Sequence, residues 1–213
     1  MIRNGQLIHY FHQITPRGAA AARNRALASA TGEYAAFAEA GDTWHPWKLE
    51  QQVLLLDTQR DIPASPYRHA TTKGPGKKRA SFHPLEFEEA LIPPGLVLSG
   101  AILRRAVVDW EGPFDENLPS CEEYDFWLRL ASRHHLGTIE GNLQESAPPR
   151  APATWSLDRY RVYSMEKAFQ SGHLNSVQRH RIAAALVDRC ARLAAGYSQR
   201  ENLERANFYE RKR

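Results

Sequence analysis

The chain has 213 residues, of which 42% are hydrophobic and 24% are charged, and its formal net charge at pH 7 is +4. This length is enough for one full hydrophobic core with a smaller appended unit, and the composition excludes a disordered or fibrous chain. The small positive excess is compatible with an anionic partner such as a nucleotide but does not identify one.

The first part of the chain alternates strands and helices. Residues 6–14 are predicted to form a short strand, and the alanine-rich residues 16–32 a helix. The run EYAAFA, residues 33–38, is predicted to be a strand buried on both faces. After a polar turn at residues 39–43, Pro46 suits the first turn of a helix that continues to about residue 56. The predicted apolar stripe of this helix consists of Trp47, Leu49, Val53, Leu54 and Leu56.

The middle of the chain is less regular. Residues 71–79, TTKGPGKKR, are predicted to form an exposed loop. Residues 96–105 read as a buried strand that leads into a short helical turn, and residues 135–141 as a further strand. Between them, residues 120–132 are predicted to form a helix. Its apolar face consists of Phe126, Trp127, Leu130 and Ala131.

The C-terminal part is predicted to be helical. A proline-rich hinge at residues 147–153 separates residues 1–146 from an extension at residues 154–213. The helices of this extension are predicted at residues 157–170, 176–195 and 199–211.

The order of these elements predicts an α/β fold, with a mixed sheet flanked by helices and a helical C-terminal extension. In such sheets ligands bind beyond the carboxyl ends of strands. The acidic turn EAGD, which carries Glu39 and Asp42, follows the strand at residues 33–38. The sequence therefore predicts that these two acids lie at a binding site.

The cysteines and the N-terminus indicate a cytoplasmic protein. Cys121 and Cys190 lie too far apart for a zinc motif or a redox dithiol, so we expect both to be reduced. The start, MIRNGQLIHYFHQI, lacks the apolar core of a secretory signal. No run approaches the roughly eighteen apolar residues that a membrane helix needs. Peripheral contact with the inner face of the membrane stays open.

Two blocks of the sequence carry distinctive motifs. The first, RGAAAARNRALASATGEYAAFAEAGDTWHPWKLEQQV, contains an Ala-Arg-Asn triplet, a Gly-Glu-Tyr, an acidic loop and a Trp-x-Pro-x-Lys-Leu-Glu helix, and it resembles the central block of the family 2 glycosyltransferases. The second, SGAILRRAVVDWEGPFDENLPSCEEYDFWLRLA, is similar to the acceptor-side block of the same family. The resemblance runs from about residue 6 to residue 136. It implies a Rossmann-like GT-A fold and inverting transfer from a nucleotide-sugar donor to a glycan or lipid-linked acceptor, as in polysaccharide biosynthesis.

The resemblance also implies roles for particular residues. By position Glu123 is the general base that deprotonates the acceptor hydroxyl, and Glu122 is the alternative. Four residues would face the donor: Arg23, Asn24, Glu39 and Asp42. Glu39 and Asp42 would also hold Mg²⁺ or Mn²⁺, a hard cation that prefers oxygen ligands and bridges to the donor diphosphate.

The chain departs from the family pattern in two places. Gly41 stands where the family commonly has a carboxylate ligand, so the implied metal site is weakened. The strands that normally begin the nucleotide site are missing, and we therefore expect a truncated domain with an open sheet edge. A homodimer, a partner chain or rearranged segments of the chain's own tail would cover that edge. The alternative function is a non-catalytic, glycosyltransferase-like binding or scaffold subunit in cell-surface glycan assembly.

Each candidate residue also has a structural interpretation. Ser120 and Glu123 form a Ser-x-x-Glu capping box, and Asp42 could cap the helix that Pro46 begins. Arg23 and Asn24 could lie on a solvated helix face. No recognisable nucleic-acid module or aromatic interleaving accompanies the arginines of the extension, so we expect no nucleic-acid partner.

Overall fold

The computed structural model describes residues 2–3, 6–67, 81–92, 96–140, 143–145 and 155–213. Its strands are β1 (Ile2–Arg3), β2 (Gln6–Leu7), β3 (Tyr34–Ala36), β4 (Thr43–Trp44), β5 (Ala64–Tyr67), β6 (Ser81–Leu85), β7 (Val97–Arg104), β8 (Leu136–Glu140) and β9 (Gln144–Glu145). Its helices are α1 (Gly18–Ser29), α2 (Lys48–Thr58), α3 (Phe87–Leu91), α4 (Ala106–Glu111), α5 (Glu122–Arg133), α6 (Asp158–Gln170), α7 (Ser176–Ser198) and α8 (Leu203–Glu210). A short 3-10 helix, Trp155–Leu157, precedes α6. The predicted mixed α/β fold with a helical C-terminal portion is confirmed.

The described strands form four small sheets, and every pairing between them is antiparallel. The largest has three strands in the order β3-β7-β5. Leu103 of β7 lies opposite Ala35 on one side and Ala64 on the other, and it is fully buried. β7 is therefore the central strand of this sheet, and both β3 and β5 pair with it.

The first predicted strands are shorter and more exposed than expected. Within residues 6–14 only β2 is a strand, and Ile14 is 91% exposed. β3 lies at an edge of its sheet and is only partly buried, so the prediction of a strand buried on both faces is wrong. An edge strand pairs on one side alone, and the apolar run EYAAFA gives no information about that position.

Helix α2 begins at Lys48, two residues after Pro46, which lies in the preceding turn. The predicted apolar stripe is only partly correct: Leu56 is fully buried, but Leu49 and Leu54 are 42% and 55% exposed. The buried face consists of Lys48, Gln52, Leu55 and Leu56. This face has helical spacing, but a search for apolar residues alone does not find it, because two of its members, Lys48 and Gln52, are polar.

Helix α5 lies between two hydrophobic clusters. Phe126, Trp127 and Leu130 are buried against the core around β7, as predicted. Leu128 is equally buried, but it packs into a second cluster with residues of α6 and α7. Because both sides are covered, α5 is held firmly at the centre of the molecule.

The helical extension packs directly on the rest of the chain. Its buried residues share the second cluster with Leu91 of α3 and Leu128 of α5. The buried Arg189 guanidinium pairs with Asp158 at 2.9 Å and donates to the Leu91 carbonyl at 2.7 Å. Lys167 pairs with Asp115 at 2.7 Å and Asp125 at 2.9 Å. Polar and apolar contacts therefore join the extension to α3 and α5.

Two predicted segments, the loop at residues 71–79 and the hinge at residues 147–153, lie outside the described residues. The domain boundaries at the hinge stay a prediction. Both cysteines are free, as expected. Across the ranges that the structure describes, no helix combines the length and apolar character needed to cross a membrane.

Candidate functional site

The acidic turn between β3 and β4 is fastened to β7. Before the turn, the Gly100 amide donates to the Phe37 carbonyl at 2.7 Å. Within it, the Glu39 amide donates to Ser99 Oγ at 3.2 Å, and that hydroxyl in turn donates to the Asp42 carboxylate. The single hydroxyl of Ser99 therefore joins both ends of the turn to the central strand.

Gly41 has a conformational role in this turn. Its φ of +98° lies in the region that residues with a side chain rarely adopt. The Asp42 amide closes the turn by donating to the Glu39 carbonyl at 3.1 Å. The turn thus needs glycine at the position where the family commonly places a ligand.

The acid pair lies at the start of α5. The predicted capping box is wrong, because Cys121 is the N-cap residue and no side chain caps the helix. Glu123 instead turns towards β7 and α1. Its Oε2 accepts from the Leu98 amide at 3.0 Å, and its Oε1 accepts from Arg23 at 2.7 Å. These partners lie about 25 and 100 positions away in the chain, so local spacing could not predict them.

Arg23 brings three of the predicted site residues together. Its guanidinium donates to Glu123 at 2.7 Å, to Glu39 at 3.2 Å, and to Glu122 through a short contact. We call these four residues the Arg23 cluster. The Arg23 side chain is 17% exposed, and Glu122, Glu123 and Glu39 are 10%, 26% and 58% exposed. The acids of two segments therefore converge on one cation at a partly open position.

The remaining two predicted residues lie beside the cluster. The Asn24 amide donates to the Phe114 carbonyl and to Glu116, each at 2.9 Å, and accepts from the Phe114 amide at 2.9 Å. It therefore holds the segment before α5, and its predicted role towards the donor stays a prediction. Asp42 bonds Ser99 and does not cap α2, whose N-cap residue is Trp47.

The electrostatics of the cluster favour a proton acceptor at Glu123. Burial raises the pKa of Glu123, and the neighbouring Glu122 and Glu39 carboxylates raise it further. Arg23 and the Leu98 amide oppose this increase. A carboxylate with a raised pKa is a stronger base than an ordinary one. Glu123 is also more exposed than Glu122, so it is the better placed of the two to meet a substrate hydroxyl.

Lys48 of α2 is a buried lysine that bonds the central strand β7, and the apolar pattern did not identify it. Lys48 is fully buried, and its Nζ donates to Gln52 Oε1 and to the Gly100 carbonyl. It also lies 4.5 Å from the centroid of the Trp44 ring. Burial lowers the pKa of Lys48 to about 8. The available signal was the i, i+4 pair of Lys48 and Gln52 on the face shared with Leu55 and Leu56.

Both acids of the implied metal site already have protein partners in this arrangement. Glu39 is paired with Arg23, Asp42 accepts from Ser99, and Gly41 offers no ligand. Within the same described ranges, no group of three or more His, Cys, Asp or Glu residues could hold a metal ion. The implied Mg²⁺ or Mn²⁺ at Glu39 and Asp42 stays a prediction, and the positive charge observed beside these acids is that of Arg23.

Comparisons with known proteins agree with the motifs. Residues 1–109 match the family model for glycosyl transferase family 2. An uncharacterized glycosyltransferase of Rickettsia conorii is 28% identical over 142 residues, which are 65% of this chain and 23% of that protein. One of Methanocaldococcus jannaschii is 27% identical over 135 residues, 58% of this chain and 44% of that protein. The chain thus spans less than half the length of these relatives. The crystal structure of Staphylococcus aureus TarS residues 1–349 is similar with a TM-score of 0.48 and 14% identity, covering 93% of this chain and 72% of that one.

Proposed function

Because the chain belongs to glycosyl transferase family 2, we propose that it takes part in moving a sugar from a nucleotide-sugar donor to a glycan or lipid-linked acceptor. The observation that carries this proposal is the Arg23 cluster. It joins the acidic turn to the acid pair of α5, so groups suited to the donor and to the acceptor lie within one set of contacts. The GT-A fold and inverting stereochemistry are part of the proposal.

In this proposal Glu123 is the general base. It would accept the proton of the acceptor hydroxyl as that oxygen attacks the donor sugar and the bond to the diphosphate breaks. The Leu98 amide holds one oxygen of the carboxylate and Arg23 the other. These contacts orient Glu123, and its raised pKa improves proton transfer near neutral pH.

Glu122 and Arg23 would have supporting roles. Glu122 is the more buried acid and pairs with Arg23, so we assign it to holding the guanidinium in place. A guanidinium can bind two groups at once through its planar set of N–H donors. Arg23 would therefore contribute positive charge on the side of the leaving diphosphate while it remains bonded to Glu123.

The second candidate is a non-catalytic binding or scaffold subunit in glycan assembly. Two observations favour it. The turn requires glycine at position 41, and Arg23 already neutralises part of the charge of the acids that would otherwise bind a metal. A protein of this kind would keep the glycan-binding or assembly role but would not release nucleotide from a donor.

One set of measurements separates the two candidates. Calorimetric titration of UDP, with and without Mn²⁺, tests the donor site and the predicted metal together. If UDP binds, release of UDP from a UDP-sugar is then compared between the parent chain, Glu123→Gln and the surface control Glu88→Gln. Loss of release in Glu123→Gln alone supports the enzyme. Binding of UDP without release by any form supports the scaffold, and no UDP binding contradicts a donor site in this chain.

We also propose where the protein works and how it associates. Two free cysteines are consistent with the reducing cytoplasm. Peripheral contact with the inner membrane face would bring the site to a lipid-linked acceptor. β3 lies at the end of its sheet, and a second copy or a partner chain could add a strand there. Mass measurement in solution at several concentrations tests self-association.

A further inference from the structure

A cleft lies within the helical extension, away from the elements that carry the Arg23 cluster. Its volume is about 350 Å³. The first turn of α6, the end of α7 and the length of α8 each contribute side chains to it. The lining residues are Arg159, Tyr197, Glu204, Arg205, Phe208 and Tyr209. We call it the Arg159–Arg205 cleft.

Two guanidinium groups meet this cleft with little opposing charge. Arg159 donates to the Tyr160 hydroxyl at 2.5 Å, and Arg205 donates to the Tyr197 hydroxyl at 3.2 Å. Neither forms an ion pair with a carboxylate that the structure describes, although Arg161 and Arg189 nearby share Asp158. Phenol groups satisfy hydrogen bonds but leave the positive charges in place.

One N–H donor of a lining residue also has no partner among the described residues. Nε of Arg159 is buried and without a hydrogen-bond partner there, as are the Nε atoms of Arg161 and Arg189. A buried N–H group without a partner is unfavourable, and it is usually found where a water, ion or ligand completes the bonding. Glu204 is the single acid in the lining, so the two guanidiniums exceed the carboxylates.

The aromatic lining offers an apolar surface next to these charges. The rings of Tyr197 and Tyr209 are parallel, with centroids 5.7 Å apart, and both residues are buried. Phe208 meets Tyr209 edge to face at 5.0 Å and remains 46% exposed. Sugar rings pack their C–H faces on such aromatic surfaces, while guanidinium groups bind phosphate or carboxylate oxygens.

We propose that the Arg159–Arg205 cleft binds a sugar that carries an anionic group, phosphate or carboxylate. The anion lies between the two guanidinium groups, and the sugar ring packs against Phe208 and Tyr209. All of its lining residues belong to α6, α7 and α8, and none is part of the Arg23 cluster. It gives the extension a ligand-binding role in addition to its packing on α5.

Calorimetric titration of the full chain tests the proposal with four probes: glucose 1-phosphate, glucuronate, glucose and inorganic phosphate. We expect at least one of the two charged sugars to bind saturably and more tightly than either glucose or inorganic phosphate. The tighter of the two identifies the anionic group. Arg159→Gln and Arg205→Gln should each weaken that binding about tenfold, the effect of one charge-assisted hydrogen bond.

Two further variants serve as controls. Arg200→Gln removes an arginine that lies in the turn between α7 and α8 and does not line the cleft, and it should bind like the parent chain. Glu204→Gln removes the opposing acid and should strengthen binding. If Arg159→Gln does not fold, the variants of two exposed cleft residues, Arg205→Gln and Phe208→Ala, test the proposal in its place.

Three results would overturn the proposal. The first is the absence of saturable binding by either charged sugar. The second is equal weakening by Arg200→Gln, which would mean attraction by overall charge alone. The third is binding of inorganic phosphate as tightly as glucose 1-phosphate, which would show that the sugar ring does not contribute to binding.

Discussion

Lys48 should make the stability of the protein rise with pH in a range where most proteins lose stability. Its ammonium is fully buried against Gln52, the Gly100 carbonyl and the Trp44 ring. Burial lowers the pKa of Lys48 from 10.5 to about 8 in the folded chain. Between these two values the unfolded chain binds more protons than the folded chain, so the free energy of unfolding increases with pH.

The magnitude follows from the size of the pKa difference. One pKa unit corresponds to about 1.4 kcal/mol, so the charged form of Lys48 costs the folded state roughly 3 kcal/mol. The full cost is present below about pH 8, and it disappears as the pH approaches 10.5. Burial also raises the pKa of the Cys121 and Cys190 thiols, which destabilises the folded state as pH rises.

Comparison of the parent chain with Lys48→Met isolates the lysine from those thiols. Urea unfolding is measured from about pH 7 to about pH 11, and the two free energies are subtracted at each pH. The variant also loses the hydrogen bonds of Lys48, but that loss shifts the whole difference curve and does not tilt it.

Across this pH range the free energy of unfolding of the parent chain should rise by roughly 3 kcal/mol relative to that of Lys48→Met. A flat curve for Lys48→Met would refute the reasoning, because burial of the ammonium requires it to titrate at lower pH in the folded chain.

Three further predictions concern the candidate site. Arg23→Gln leaves the partly buried Glu122 and Glu123 without their cation and should lower the free energy of unfolding by roughly 3 kcal/mol in urea. Gly41→Ala places a side chain at φ +98° and should cost about 1–2 kcal/mol in the same measurement. Glu123→Gln should lower the rate of transfer by about 10²–10⁴-fold while UDP affinity, measured calorimetrically, stays within about twofold.

Each of these predictions has its own contrary result. Arg17→Gln breaks only an exposed pair with Glu116 and should lower the free energy of unfolding by less than about 1 kcal/mol. An equally small decrease in Arg23→Gln would contradict the expected cost of leaving Glu122 and Glu123 without their cation. An unchanged unfolding midpoint in Gly41→Ala would mean that the turn relaxes without strain. A Glu123→Gln variant with the parent rate would assign the base to another group.

The helices were predicted where an apolar pattern repeats with helical spacing. In α5, Phe126, Trp127 and Leu130 form such a pattern, and all are buried. The burial of Leu128 on the other side was not predicted, since the residues of α6 and α7 in its cluster lie about 35 to 70 positions further along the chain. The burial of Lys48 was missed for a related reason: besides Gln52 on its own helix, its acceptor is the Gly100 carbonyl of β7, which only the folded chain brings close.

The candidate site was predicted by resemblance rather than by pattern. The motifs named Arg23, Glu39 and Glu123, and the structure brings them together. They did not indicate that one guanidinium would bond three carboxylates. The capping box failed because the Leu98 amide and Arg23 are better partners for Glu123 than the start of its own helix. Competition of this kind depends on tertiary contacts that no local spacing records.

The position of α5 between two clusters has a consequence for how the molecule unfolds. The helix that begins with Glu122 and Glu123 shares buried contacts with the sheet on one side and with the extension on the other. Removal of the extension would bare Leu128 and Leu91 and leave Asp125 without Lys167. Opening of the tail and loss of order at the acid pair should therefore be a single cooperative event, visible as matched rates of amide hydrogen exchange in α5 and α6.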